Sequence, residues 1–167
     1  MNRVILGIDP GFSVTGYAIL KMIQKENGKS AVGIIDYGYL KMSSKKHLSE
    51  RTGTFYNLFK SKIEEYKVTD LALETPFLGK NAQTFLKLGY LRGILYLLSN
   101  KHHLHIHEFS PRQIKISVTG FGGATKEQVA LMVLNMLPKL NDLGRVEKND
   151  VTDAIAVSIC GLWNLRS

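Results

Sequence analysis

The spacing of apolar residues switches repeatedly along this chain between extended and helical patterns. Extended apolar runs come first, at Arg3 to Ile8, Thr15 to Met22 and Val32 to Leu40, with Pro10-Gly11 and Glu26-Asn-Gly-Lys29 supplying turn chemistry between them. They predict an antiparallel meander. From Lys45 to Tyr66 the positions Leu48, Thr52, Phe55, Phe59, Ile63 and Tyr66 recur at steps of three and four, which predicts an amphipathic helix. Asp70 to Glu74 reads as a short strand. Ala82 to Ser99 is apolar nearly all round, so it predicts a helix buried on more than one side. His103 to Phe109 reads as a strand, and Ser110-Pro111 opens a helix with a capping serine and a first-turn proline. After Gly120-Phe-Gly-Gly123, Thr125-Lys-Glu-Gln128 has capping-box spacing ahead of Val129 to Leu137. Asn149 is placed to cap a last helix from Asp150 to about Asn164. The absence of repeats and low-complexity linkers predicts one α/β domain over residues 1–167.

Composition narrows the function. At 167 residues and 44% apolar the chain suits one soluble domain, and no run approaches the ~20 apolar residues of a membrane span. The first apolar run is broken by Asp9-Pro10-Gly11, so it does not read as a signal peptide, and a cytoplasmic location is expected. The single cysteine, Cys160, reads as core packing. A net charge of +8 points to phosphates. Between Pro76 and Lys126 the cations Lys80, Lys87, Arg92, Lys101, Arg112, Lys115 and Lys126 face only Glu108, which makes nucleic acid the expected partner.

Four carboxylates stand at the ends of these elements. Asp9 closes the first strand, Glu74 closes the fourth, and Asp150 and Asp153 lie three residues apart on one helical face. Singly, they read as a turn cap, a solvated loop and helix-dipole complements. Converged, they would repel unless cations neutralised them, and an all-oxygen donor set suits Mg²⁺ or Mn²⁺ rather than zinc. Two such ions about 4 Å apart stabilise both the attacking and leaving oxygens of a phosphoryl displacement. An acidic metal site inside a basic protein suggests a nuclease.

The motifs Gly7-Ile-Asp-Pro-Gly11 with Thr15-Gly-Tyr17, Glu74-Thr-Pro-Phe77, Lys80-Asn-Ala82, Leu86-Lys-Leu-Gly89 with Arg92-Gly93, Pro111-Arg-Gln-Ile-Lys115 and Asp150-Val-Thr-Asp-Ala154 occur in a telling order. From first strand to last helix, the chain resembles the RuvC-type crossover junction endonucleases. The resemblance implies a ribonuclease H-like fold, a mixed five-stranded sheet with helices on both faces, acting as a homodimer that nicks four-way DNA junctions symmetrically. It makes Asp9, Glu74, Asp150 and Asp153 the ligands of two Mg²⁺ ions and leaves a RuvA–RuvB branch-migration complex open as a further partner. Many relatives carry two alanines where this chain has Val151-Thr152, and Gln-Val or a similar pair where it has Thr75-Pro76. Pro76 stiffens that loop and bears on DNA sequence preference.

Lys115 and Lys126 flank the Gly120–Gly123 loop, within reach of a scissile or neighbouring phosphate. Phe77, Lys80, Asn81 and Arg112 complete the expected DNA contacts, with Phe77 read as a wedge between bases. Leu88, Gly89, Arg92 and Leu95 are the expected dimer contacts, because Gly89 and Gly93 let another backbone approach the apolar helix. The histidines at 102, 103, 105 and 107 read as an exposed strand face rather than a metal tract, since no carboxylate or cysteine sits at ligand spacing. Two other readings stay open: a ribonuclease H-like nuclease acting on RNA–DNA hybrids, and a non-catalytic module that binds DNA by its structure. An actin-like ATPase needs two such lobes and the chain is too short for them.

Overall fold

The structure is a computed structural model that describes residues 3–24, 30–76, 82–137 and 145–164. Strands β1 (Val4–Asp9), β2 (Val14–Gln24) and β3 (Ser30–Lys41) form the expected meander. Helix α1 (Leu48–Tyr66), β4 (Asp70–Glu74), α2 (Ala82–His102) and β5 (His105–Phe109) follow, then α3 (Pro111–Thr119), α4 (Lys126–Met136) and α5 (Arg145–Asn164). The five strands form one sheet in the order β3-β2-β1-β4-β5. β1 runs antiparallel to β2 and parallel to β4, and β5 extends the parallel half.

Alternation along the central strands divides the core between two faces. Leu6, Ile8, Leu71 and Leu73 pack with Phe55, Phe59 and Ile63 of α1 and with Leu91, Leu95 and Leu98 of α2. On the other face Ile5, Ala18 and Ala72 meet Ile114 and Val118 of α3, Val129 and Val133 of α4, and a long row from α5. The sheet is therefore mixed, with helices on both faces, as expected.

Two glycines let α5 lie directly on the sheet. A Cβ at Gly7 would stand 2.1 Å from Ser158 Oγ and 2.6 Å from the Ala154 carbonyl oxygen; one at Gly16 would stand 2.0 Å from the Asp150 carbonyl oxygen. Any side chain at either position would push the helix off β1 and β2. The buried Ser158 hydroxyl fixes the register, lying 3.1 Å from the Ala18 carbonyl and 2.9 Å from that of Ala154.

Three expectations are corrected. α5 begins at Arg145 rather than at Asp150, so Asn149 lies within the helix and its carbonyl accepts the Thr152 hydroxyl at 2.9 Å. Asp150 and Asp153 therefore sit more than a turn inside the helix, where dipole complementarity no longer accounts for them. α2 is buried on one face only: Phe85, Leu86, Tyr90, Tyr96 and Leu97 are exposed by 37 to 56%. Finally, His103 leaves the strand at φ 55°, and His107 is not on an open face but lies 2.8 Å from Asp70 Oδ1.

Candidate metal centre and nucleic-acid cleft

Parallel pairing brings the first two acids together. Ile8 pairs with Leu73, so the next residues, Asp9 and Glu74, end adjacent strands at one level. Both belong to the alternating set, with Ile5, Gly7 and Ala72, that faces α5. The turn after Asp9 is braced by fully buried Thr15, whose hydroxyl donates to the Gly11 carbonyl at 2.8 Å and accepts the Gly11 N–H at 3.2 Å. Arg51 of α1 reaches the same turn, bonding the Phe12 carbonyl and lying 4.3 Å over its ring. Past Glu74, the Thr75 N–H continues the ladder to the Phe109 carbonyl at 2.8 Å.

α5 supplies the other two acids from above. Val151 and Ala154 face the core, and Thr152 is accommodated by its bond to Asn149, so the departure from two alanines is absorbed within the helix. Asp9, Glu74 and Asp153 line one cleft of about 740 Å³, together with Lys115 and Lys126. Asp150 acts on Asp9 through its charge. Lys126 enters at the start of α4, where Thr125 closes a capping box with Gln128, and its Nζ lies 2.5 Å from Asp153 Oδ2.

The electrostatics are those of crowded anions. Burial and then Asp153 lift the Asp9 carboxyl from 3.8 to about 7, with Asp150 and Glu74 adding to the rise and Lys126 opposing it. Burial and Asp153 also raise Glu74, against the pull of Lys126 and Lys115. Asp153 is raised by burial while its bond from Lys126 works the other way, and that same bond raises the Lys126 ammonium. As the side chains stand, no three metal-ligating groups among the described residues close into a ligand set. The acids are grouped around a lysine. Their donor set still fits a hard divalent cation, being all oxygen, partly desolvated and short of positive charge.

The remaining site residues separate. Phe77, Lys80 and Asn81 lie outside the described residues. Arg112 is exposed on α3, and its Cγ would lie 2.8 Å from a Cβ at Gly122, so it packs beneath the glycine loop. Of the four residues expected at a dimer contact, Leu88, Gly89 and Arg92 line the acidic cleft and Leu95 does not. Gly89 is open with nothing within 4 Å of a Cβ, and Leu95 is fully buried against the chain's own core. Arg92 is buried too, bonding the Glu74 carbonyl and pairing with Glu108. Leu95 and Arg92 are thus corrected from interface to interior: Leu95 lies four residues after Leu91 and three after Arg92, so all three share the inward face of α2.

The sequence reading also missed Asp70, a fully buried carboxylate at the far end of β4 from Glu74. It accepts Thr69 Oγ1 at 2.7 Å, Arg3 Nη1 at 3.1 Å and His107 Nε2 at 2.8 Å. Arg3 stands just before β1 and His107 lies on β5, so only the strand order reveals these two partners.

The family model of crossover junction endodeoxyribonuclease RuvC matches residues 5–161. A protein of that name from Chlorobium phaeobacteroides is 41% identical over 97% of this chain and 82% of its own length. Another, from Chloroherpeton thalassium, is 42% identical over 98% of this chain and 84% of its own. A solved structure of Thermus thermophilus RuvC superposes with a TM-score of 0.83 at 24% identity, over 98% of this chain and 95% of that one. The structure of T. thermophilus RuvC in complex with Holliday junction substrate gives 0.82 at 21% identity, over the same shares. Together these matches place the fold with the T. thermophilus RuvC structures, and the chain belongs to the RuvC family.

Proposed function

We propose that this chain is a metal-dependent endonuclease that resolves four-way DNA junctions by paired symmetric nicks. One observation carries the reading: Asp9, Glu74 and Asp153 meet in a single cleft beside Lys115 and Lys126, with Asp150 one helical turn away. Asp9, Glu74, Asp150 and Asp153 would hold two Mg²⁺ ions, which polarise the scissile phosphodiester and stabilise the attacking and leaving oxygens. Mn²⁺, with the same liking for oxygen ligands, is expected to substitute.

The protein's own groups position the strand. Lys115 and Lys126 approach from α3 and α4 and meet phosphate oxygens, while Arg112 extends the cationic rim. Lys126, whose Nζ lies 2.5 Å from Asp153 Oδ2, would be released toward a phosphate oxygen if cations neutralised the acids. Phe77, with Lys80 and Asn81, follows directly on the Glu74 terminus in sequence, and its assigned role is a wedge that holds the exchange point open.

Two nicks on one junction need two sites in fixed relation. The outer face of α2, with Phe85, Leu86, Tyr90 and Leu97 exposed around the open Gly89 and Gly93, is the surface assigned to a second copy. A groove between α1 and α2, lined by Leu48, Thr52, Gly89, Gly93 and Leu97, continues it. A RuvA–RuvB partner and a cytoplasmic location rest on the family resemblance; among the described residues no helix is long and apolar enough to cross a membrane.

The test is cleavage of a synthetic mobile four-way junction beside an RNA–DNA hybrid of the same sequence, with Mg²⁺ and with EDTA. Symmetric nicks in the junction, dependent on Mg²⁺, support the reading. Preferential cutting of the hybrid, or junction binding without cleavage in Mg²⁺, rejects it.

A further inference from the structure

Arg92 stands where a DNA-contacting or interface cation was expected, yet it lies inside the chain, 8% exposed. α2 carries it past the end of β4, and its guanidinium forks there. Nη1 donates to the main-chain carbonyl of Glu74 at 2.8 Å, and Nη2 pairs with the Glu108 carboxylate on β5. Glu108 Oε1 also accepts the hydroxyl of Tyr96 at 2.7 Å, one turn along α2 from Arg92. The N–H of that same peptide group, contributed by Thr75, is held by the Phe109 carbonyl at 2.8 Å. The Glu74–Thr75 peptide unit is thus pinned through both its carbonyl and its N–H.

A guanidinium taken out of water is costly unless charge and geometry are both satisfied, and here one fork meets a carboxylate and the other the main chain at a site acid. A lysine could neutralise Glu108 but could not span both partners. We infer that Arg92 is a positioning residue: the Arg92–Glu108 pair, tied to α2 by Tyr96, sets the end of β4 so that Glu74 meets its cation without rearrangement. The inference rests on the reading of Glu74 as a metal ligand. It assigns Arg92 no contact with DNA.

The experiment titrates Mg²⁺ into the purified protein and reads the midpoint of thermal stabilisation, then reads junction affinity in EDTA. Outer groups that orient ligands typically carry 10–100-fold of metal affinity, so Arg92→Lys, which keeps the charge and loses the fork, should raise the Mg²⁺ midpoint by about that factor. Junction affinity in EDTA should stay within about twofold of wild type, because the charge faces Glu108 rather than phosphate. Glu108→Gln should shift the midpoint in the same direction, and it decides the matter if Arg92→Lys does not fold. An unchanged midpoint in a folded variant overturns the inference, as does lost junction affinity with an unchanged midpoint. Glu74→Gln is measured alongside: if it leaves the midpoint unmoved, the metal-ligand reading itself has failed. If Glu74→Gln shifts the midpoint and Arg92→Lys does not, only the positioning role is lost.

Discussion

Lys126 Nζ lies 2.5 Å from Asp153 Oδ2, and the same ammonium draws on Asp9, Glu74 and Asp150 through its charge. One lysine from the start of α4 thus answers carboxylates from β1, β4 and α5. It leaves them undercompensated, since Asp9, Glu74 and Asp153 all remain raised. On the proposed reading, that shortfall of positive charge is what divalent cations would fill.

That shortfall has a measurable pH signature. Asp9 is raised from 3.8 to about 7 in the fold, so at intermediate pH the folded chain holds a proton that the unfolded chain releases. Stability of the metal-free protein should therefore fall as pH rises from about 4 to about 7 and stay at the lower level above. Asp9→Asn removes the penalty. Its metal-free melting temperature should exceed wild type at pH 8, at ~2–4 °C for each kcal/mol of relief, and converge with it near pH 4. Added Mg²⁺ should reverse the order by stabilising only wild type. Melting curves across pH, with EDTA and with Mg²⁺, check this.

Removing the lysine tests its double role. Lys126→Ala should push Asp9 above its present value and cost the metal-free protein about 1 kcal/mol or less at pH 8, the small figure reflecting an exposed side chain. Cleavage in saturating Mg²⁺ should fall roughly 10²-fold, as for loss of one donor to transition-state charge. Single-turnover rates set beside thermal melts separate the two effects.

The faces of α2 should respond differently to substitution. Leu95→Ala should destabilise by about 2–5 kcal/mol, because Leu95 is fully buried among Phe55, Phe59 and Leu91. Leu86→Glu and Leu97→Glu, on the exposed face, should shift stability by about 0.5 kcal/mol at most while yielding monomers. Sedimentation of each variant decides; a wild-type protein that sediments as a folded monomer at high concentration would remove the dimer proposal.

Gly16→Ala should act at a distance from the chemistry. The added methyl would meet the Asp150 carbonyl oxygen at 2.0 Å, forcing α5 away from β2 at a cost of about 1–3 kcal/mol. Mg²⁺ affinity should fall with stability, because Asp150 and Asp153 ride on the displaced helix. Calorimetric titration of Mg²⁺ into this variant and wild type measures both.

Much of this site was legible because its carboxylates lie in elements whose period is plain. Asp9 and Glu74 close apolar runs, and Asp150 and Asp153 share a helical face whatever the helix's first residue. The start of α5 was misplaced because Asn149 has a capping side chain that the longer helix leaves unused. The burial of α2 was overread for a different reason. An all-apolar helix announces how much surface wants cover, but not whether the same chain covers it, and here Leu91, Leu95 and Leu98 are covered while Leu86 and Leu97 are not. Arg92 was assigned to an interface and Asp70 was missed because their partners, Glu74, Glu108, Arg3 and His107, are brought to them only by the parallel order β1-β4-β5.

The most direct measurement compares Asp9→Asn with wild type on one synthetic four-way junction, scoring binding in EDTA and nicking in Mg²⁺ on the same preparation. Affinity comes from lysine and arginine contacts to phosphate and should weaken steeply with salt in both proteins, whereas metal and chemistry need the acid. The variant should bind the junction as wild type does and cut neither strand. Nicking that survives in Asp9→Asn, or binding that is lost together with it, would contradict the assignment of this cleft as a metal-dependent junction-cutting site.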